Sequence, residues 1–263
     1  MNDFNENGNY LMLAFDHRDN FKKYINSKNP EKVIDGKVVD SIKNIIESLK
    51  DDFSGILLDS QYSLPAFREL QIQKPFLLPA EKSNGEKITI LDKSSKDIKN
   101  AGGSGVKLLI YFDPNSETAE PNLLLLKKFL DEAHEVGIPL FLTIISDDMR
   151  DAERVLRSVE YFLKKNVIPD VFVLEFPGSD YLCRKVSNML GSIPWIMISG
   201  GADYILFREQ LIIATENDCR GFIAGRSLWQ EYFDIAEPER KRHFLEFTLP
   251  LRFKEIKEII MRS

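Results

Sequence analysis

Three kinds of residue in this 263-residue chain stand where they can do chemistry. Glu175 closes the apolar run "DVFVLEFP" (170–177), and Lys107 sits inside "GVKLLIYF" (105–112). Glycines crowd "ISGGAD" (198–203) and "IAGRSLW" (223–229), the second beside Arg226. A carboxylate among phenylalanines and leucines needs a partner or a task. A buried lysine loses hydration, so its pKa falls and it becomes a nucleophile toward carbonyls, unless a carboxylate holds it charged. Lys107 therefore reads either as that nucleophile or as part of a structural ion pair with Asp16, Asp113 or Glu175. The glycine loops let backbone N–H groups close on an anion, and Arg226 adds a bidentate grip. Alternatively Gly200, Gly201 and Gly225 are turn glycines and Arg226 is a surface residue.

The elements that must hold these groups alternate along the chain. Short apolar runs occur at 11–16, 53–59, 75–80, 106–112, 139–145, 170–176, 194–199 and 221–225. Continuous runs of this length suit strands buried on both faces, as in a parallel sheet. Amphipathic segments lie between them, among them "NLLLLKKFLDEAHEVG", with Pro121 and Asn122 at its start and Gly137 as its stop. Repeated strand and helix over this length predict a (β/α)8 TIM barrel rather than an open doubly wound sheet, because the first run ends "AFDHRDN", with no glycine-rich turn. The reading is one domain over 1–263, with helices from about 236 to 263 packing outside the barrel.

In such a barrel the chemistry gathers at the C-terminal ends of the strands. Those ends carry Asp16, His17 and Arg18, then Asp59, Glu81 with Lys82, Asp113, Glu175, Ser199 with Gly200, and Gly225 with Arg226. Parity puts Lys107 on the same strand face as Leu109, Tyr111 and Asp113. Lys82 also reads as one charge of a solvated loop, "EKSNGEK".

Composition narrows the classes. A net charge of −6 argues against nonspecific nucleic-acid binding. Cys183 and Cys219 are too few for a disulfide framework and match no zinc spacing, which points to the cytoplasm. "MNDFNENGNY" is unlike a signal peptide, and no apolar run is long enough for a membrane span. The histidines are His17, His134 and His243, the last two on helical stretches, so no metal-ligand cluster and no cofactor is expected. A homo-oligomer is compatible with the sequence.

The strand ends resemble those of the class I tagatose-1,6-bisphosphate aldolases and their relatives acting on sulfofructose phosphate and deoxyketogluconate phosphate. The matching stretches are "AFDHR", "SGILLDSQYSLPA", "LLPAEK", "VKLLIYFDP", "DVFVLEFP", "ISGGADYILFREQL" and "GFIAGRSLW", in order along most of the chain. The resemblance implies a sixth-strand lysine that forms a Schiff base with the ketose carbonyl and a fifth-strand glutamate that moves the proton. It also implies an acid on strand one, a lysine on strand four, and a phosphate held by loops seven and eight. Carried onto this chain, the acid is Asp16, the fourth-strand lysine is Lys107, and the phosphate cradle is Ser199, Gly200, Gly225 and Arg226.

Two columns depart from the pattern. The Schiff-base lysine is replaced by Val173 and the fifth-strand glutamate by Thr143, while Glu175 is retained. Valine forms no imine, and threonine is a poor proton shuttle at neutral pH. The sequence thus carries two expectations. One is an aldolase-like carbon–carbon lyase for a phosphorylated ketose, its Schiff base displaced to Lys107 (the strand that bears the imine lysine in transaldolases), with Asp16 and Glu175 as proton carriers. The other is a sugar-phosphate-binding or regulatory homologue without turnover. Proton-transfer or hydro-lyase chemistry without an imine is a third, lesser option. His17, Arg18, Asp59 and Glu81 are the expected substrate-binding residues at the mouth.

Overall fold

The apolar runs form strands because each is buried on both sides, and the computed structural model shows which side faces which layer. It describes residues 3–82, 87–146 and 151–262. The barrel strands are β1 (Asn9–Phe15), β2 (Gly55–Leu58), β3 (Phe76–Pro79), β4 (Gly105–Phe112), β5 (Leu140–Ser146), β6 (Val171–Leu174), β7 (Trp195–Ile198) and β8 (Gly221–Ala224). Neighbours pair parallel in sequence order, and β1 pairs with β8, which closes the sheet. This is a (β/α)8 TIM barrel.

Alternation along each strand divides two hydrophobic layers. On β4, Val106, Leu108, Ile110 and Phe112 join the large cluster between sheet and helices. The smaller cluster fills the barrel interior, with Met12 and Ala14 from β1, Leu57 from β2, Phe141 from β5 and Val173 from β6. Lys107 takes an interior position on β4, in register between Pro79 and Phe141.

The N-terminal end of the barrel is stoppered by its own chain. Asn5–Glu6 pairs antiparallel with the start of β1, which carries the Phe4 ring into the interior. There Phe4 meets Phe141 edge-on at 5.2 Å, and its carbonyl accepts a hydrogen bond from Ser54 Oγ at 2.7 Å. A Cβ on Gly55 would lie 2.7 Å from the Phe4 ring, and one on Gly105 3.1 Å from it. Glycine opens β2 because the Phe4 ring occupies that space, and opens β4 because Leu77, 2.8 Å from the same point, crowds it together with Phe4.

The helices bury one stripe each. Arg154–Lys164 packs Val155, Leu156, Val159 and Phe162 inward, and the Phe162 ring lies 4.5 Å from that of Phe112 on β4. The helix after β4 begins at Ala119, so Pro121 sits in its first turn, where an N–H would have no intrahelical acceptor. It stops before Gly137, whose φ of 72° leaves the helical region. The C-terminal helix Leu249–Met261 buries Leu249, Phe253, Ile256 and Ile260, and Phe253 contacts Phe222 of β8 at 5.6 Å. Among the described residues, no helix is long and apolar enough to cross a membrane.

Candidate active site

A cavity of about 310 Å³ opens where the strands end at their C-terminal side. Its floor is the top of the apolar interior, contributed by Leu57, Leu109, Ile198 and Ile223. Its polar wall is supplied by different strands: Asp16 and His17 after β1, Lys107 and Tyr111 on β4, Thr143 on β5, and Glu175 just after β6. Ser199, Gly200 and Gly201 after β7 and Gly225 and Arg226 after β8 complete the mouth. Apolar floor and a few convergent polar groups are what a small-ligand site requires.

Lys107 is the centre of the charge. Its Nζ donates to Glu81 Oε1 at 2.7 Å and to Asp16 Oδ2 at 3.2 Å, and its side chain is only 5% exposed. Burial pushes the ammonium toward losing its proton, but Glu81 and then Asp16 outweigh it and hold the pKa above the usual lysine value. The same balance acts on Asp16, where burial favours the acid and the Lys107 ammonium brings the pKa below the usual carboxylate value. Glu81 is itself fixed, since its Oε2 accepts the Leu109 N–H at 3.1 Å.

The ion pair expected from the sequence therefore forms with Asp16 and with Glu81. Asp113 and Glu175, the other expected partners, are engaged elsewhere. Asp113 Oδ1 accepts the Asn115 N–H at 2.9 Å, closing a turn after β4. Glu175 Oε2 accepts the Ser146 N–H at 3.0 Å, with Arg154 Nε 4.0 Å away. The Arg154 contact, brought by the helix after β5, has no signal in the spacing of the sequence.

His17 lies in a cluster with Phe21, Tyr24 and Trp229, its ring 5.1 Å from that of Trp229. Burial, with Asp16 opposing and Arg226 adding to it, brings its pKa down to about 4, so the imidazole is neutral at pH 7. Among the described residues its buried Nδ1 has no hydrogen-bond partner, and it lies 4.0 Å from Asp16 Oδ1.

Loops seven and eight meet face to face. Gly200 and Gly201 have φ of 57° and 84°, a left-handed pair that few side chains tolerate. A Cβ on Gly201 would lie 2.6 Å from Arg226 Nη2, so the guanidinium rests directly on that glycine. Backbone and guanidinium thus converge on one corner of the mouth.

Three of the expected substrate-binding residues lie outside the cavity lining. Asp59, 1% exposed, accepts the N–H groups of Gln61 and Tyr62 at 2.7 Å each and meets Ser63 Oγ at 3.0 Å, so it shapes the turn into the helix Ser63–Glu69. Burial nonetheless raises its pKa. Arg18 reaches the Glu81 carbonyl, and Glu81 reaches Lys107. Val173 is fully buried in the barrel interior, and Thr143, its register partner on β5, lines the cavity. Among the described residues, no group of His, Cys, Asp or Glu side chains could hold a metal ion.

Eight closed parallel strands with charged groups gathered at their C-terminal mouth define a (β/α)8-barrel protein whose candidate site is that mouth. Within that class, the chain belongs to the DeoC/LacD aldolase family, whose model matches residues 10–231. It is similar to tagatose 1,6-diphosphate aldolase 2 of Streptococcus agalactiae, 26% identical over 303 aligned residues that cover 98% of this chain and 93% of the relative. A tagatose 1,6-diphosphate aldolase of Listeria monocytogenes is 27% identical over 274 residues, covering 88% of this chain and 80% of the relative. An archaeal fructose 1,6-bisphosphate aldolase structure superposes with a TM-score of 0.69 at 17% identity, covering 97% of this chain and 95% of its own, a likeness of fold.

Proposed function

We propose that this protein is an aldolase-type carbon–carbon lyase for a phosphorylated ketose and that its Schiff base forms on Lys107. The observation that carries this reading is the inward Lys107 amine, the one lysine lining the cavity among the described residues, across the barrel from the Gly200–Gly201–Arg226 corner. A ketose phosphate anchored by its anion at that corner would extend its carbonyl toward β4.

Chemistry at Lys107 requires the ammonium to lose a proton first. With its pKa held above the usual lysine value, Lys107 carries its proton at pH 7 and the free amine is a minor species. Glu81, at 2.7 Å, is the nearest acceptor for that proton. The amine adds to the carbonyl, water leaves, and the imine nitrogen stays protonated. Asp16 or Glu175 takes the proton from the hydroxyl on the far carbon of the bond to be broken, and that carbon leaves as an aldehyde. That bond's electrons pass to the iminium, leaving an enamine that is protonated and hydrolysed to free Lys107.

A second reading rests on a specific observation: Lys107 is held charged between two carboxylates while Val173 and Thr143 replace the lysine and glutamate of the family pattern. It predicts a sugar-phosphate-binding protein that forms no imine. Incubation with dihydroxyacetone phosphate and borohydride, followed by peptide mapping, separates the two. The lyase reading expects an adduct on Lys107, lost in Lys107→Ala. Thermal stabilisation by the sugar phosphate with no adduct and no cleavage supports the binding reading.

A further inference from the structure

We propose that Arg18 is a positioning residue for Lys107 and acts through Glu81. Its guanidinium Nη2 donates to the Glu81 main-chain carbonyl at 2.6 Å, and the Glu81 carboxylate holds the Lys107 ammonium at 2.7 Å. Arg18 follows Asp16 by two residues on the loop after β1, and Asp16 is the other carboxylate on Lys107. One guanidinium thus ties together the two loops that present the two carboxylates, and so sets their spacing across the amine.

Two further features single out this contact. Arg18 adopts φ of 50°, a left-handed conformation unusual and strained for a residue with a Cβ. A strained backbone that aims one long side chain at one carbonyl is held there by the rest of the fold. Glu81, in turn, lies just beyond the end of β3, where regular pairing has given way to a single bridge with Leu91. Its carboxylate is anchored by Leu109 N–H and Lys107, both on β4, and its main chain by Arg18 from the loop after β1. Displacement of about 1 Å at such a group costs roughly a hundredfold in rate.

The functional weight of this assignment rests on the Lys107 reading, but its geometry can be tested without turnover. The test variants are Arg18→Gly and Arg18→Lys. Glycine accepts the left-handed backbone at no cost, so its effect reports loss of the guanidinium rather than of the loop. Lysine restores a cation with a single-point grip. The readout is the rate of acetylation of Lys107 by acetic anhydride at pH 9, compared by mass spectrometry with exposed lysines of the same chain, beside the affinity for inorganic phosphate. Loosening Glu81 withdraws the charge that keeps the ammonium protonated. Arg18→Gly is therefore expected to raise Lys107 acetylation about tenfold, equivalent to one pKa unit. Glu81→Gln should do the same, Arg18→Lys should partly restore the native rate, and phosphate affinity should stay within about twofold of the native value, the scatter allowed for a group outside the anion site.

Unchanged Lys107 acetylation in Arg18→Gly would overturn the assignment, as would a loss of phosphate affinity that marked Arg18 as a ligand contact. If the native protein traps no imine with dihydroxyacetone phosphate, the lyase reading falls while the acetylation rates still decide for or against Arg18.

Discussion

Glu81 Oε1 lies 2.7 Å from Lys107 Nζ, an ion pair formed between side chains 26 residues apart, one just past the end of β3 and the other inside β4. The β3–β4 register makes the pair: Pro79 stands opposite Lys107, so the chain continuing past Pro79 passes over the lysine's amine. Asp16 joins the same amine from β1. The consequence is a cation kept charged inside a barrel interior that is otherwise largely apolar.

Removing that cation leaves two buried carboxylates facing each other. Lys107→Ala is expected to lose about 3–5 kcal/mol at pH 8, the usual result of stripping one member from a buried ionic group. The sign follows from the shifts. Asp16, with its pKa depressed, contributes stability above the ordinary carboxylate value and loses it as pH falls through the folded value. Lys107, with its pKa raised, contributes below the ordinary lysine value and loses it as pH rises through the folded one. The deficit of the variant should therefore shrink near pH 4, where its carboxylates take up protons. Urea titrations at both pH values check this; equal deficits would count against the triad.

His17 gives the native protein a second pH dependence. Its folded pKa of about 4 lies below the 6.5 of a free histidine, so the unfolded chain binds the proton first. Stability should fall as pH drops across that interval, by up to about 3 kcal/mol from this group. His17→Phe, which keeps an aromatic ring against Phe21, Tyr24 and Trp229, should flatten the slope. Parallel stability curves for the two proteins between pH 6.5 and 4 would exclude this role.

The Gly201–Arg226 contact makes a substitution there specific for phosphate. In Gly201→Ala the new Cβ meets Arg226 Nη2 at 2.6 Å and the backbone remains left-handed, so the guanidinium must swing away. Loss of one charge-assisted grip predicts roughly tenfold to hundredfold weaker binding of dihydroxyacetone phosphate. Binding of unphosphorylated dihydroxyacetone should not change. Calorimetric titration of both compounds reads the difference.

At the closed end of the barrel, Phe4→Ala should cost about 3–5 kcal/mol by emptying a packed site. Gly55→Ala should also destabilise, since its Cβ would lie 2.7 Å from the Phe4 ring. Combined, the two should cost less than their sum, because the alanine at 55 then fills part of the hole. Strict additivity in a double-mutant cycle would show that Phe4 does not occupy that space in solution.

Much of this was legible in the residues themselves. The eight apolar runs mark the eight strands, because strands buried on both faces are apolar at nearly every position. The parity of "GVKLLIYF" places Lys107, Leu109 and Tyr111 on one face, and all three line the cavity. The glycines of "ISGGAD" and the arginine of "IAGRSLW" meet at one corner, as their places on consecutive strand ends imply.

The partners of those groups were not legible in the same way. Asp113 and Glu175 stood on strand ends as promising as that of Glu81, yet one closes a local turn and the other accepts from Ser146. Asp59 was indistinguishable in sequence from a mouth residue, and only the direction of the following chain commits it to Gln61, Tyr62 and Ser63.

By itself, then, the sequence determined the periodicities: which stretches become strands, which face each side chain takes, and where polar groups collect. Those are local properties, set by the two-residue repeat of a strand and by backbone preferences. Only the tertiary structure decided that Lys107 belongs to Glu81 and Asp16, and that Arg18 reaches the Glu81 carbonyl. Such choices depend on the stagger between neighbouring strands and on how far each chain runs past its strand end, which no spacing along one chain encodes.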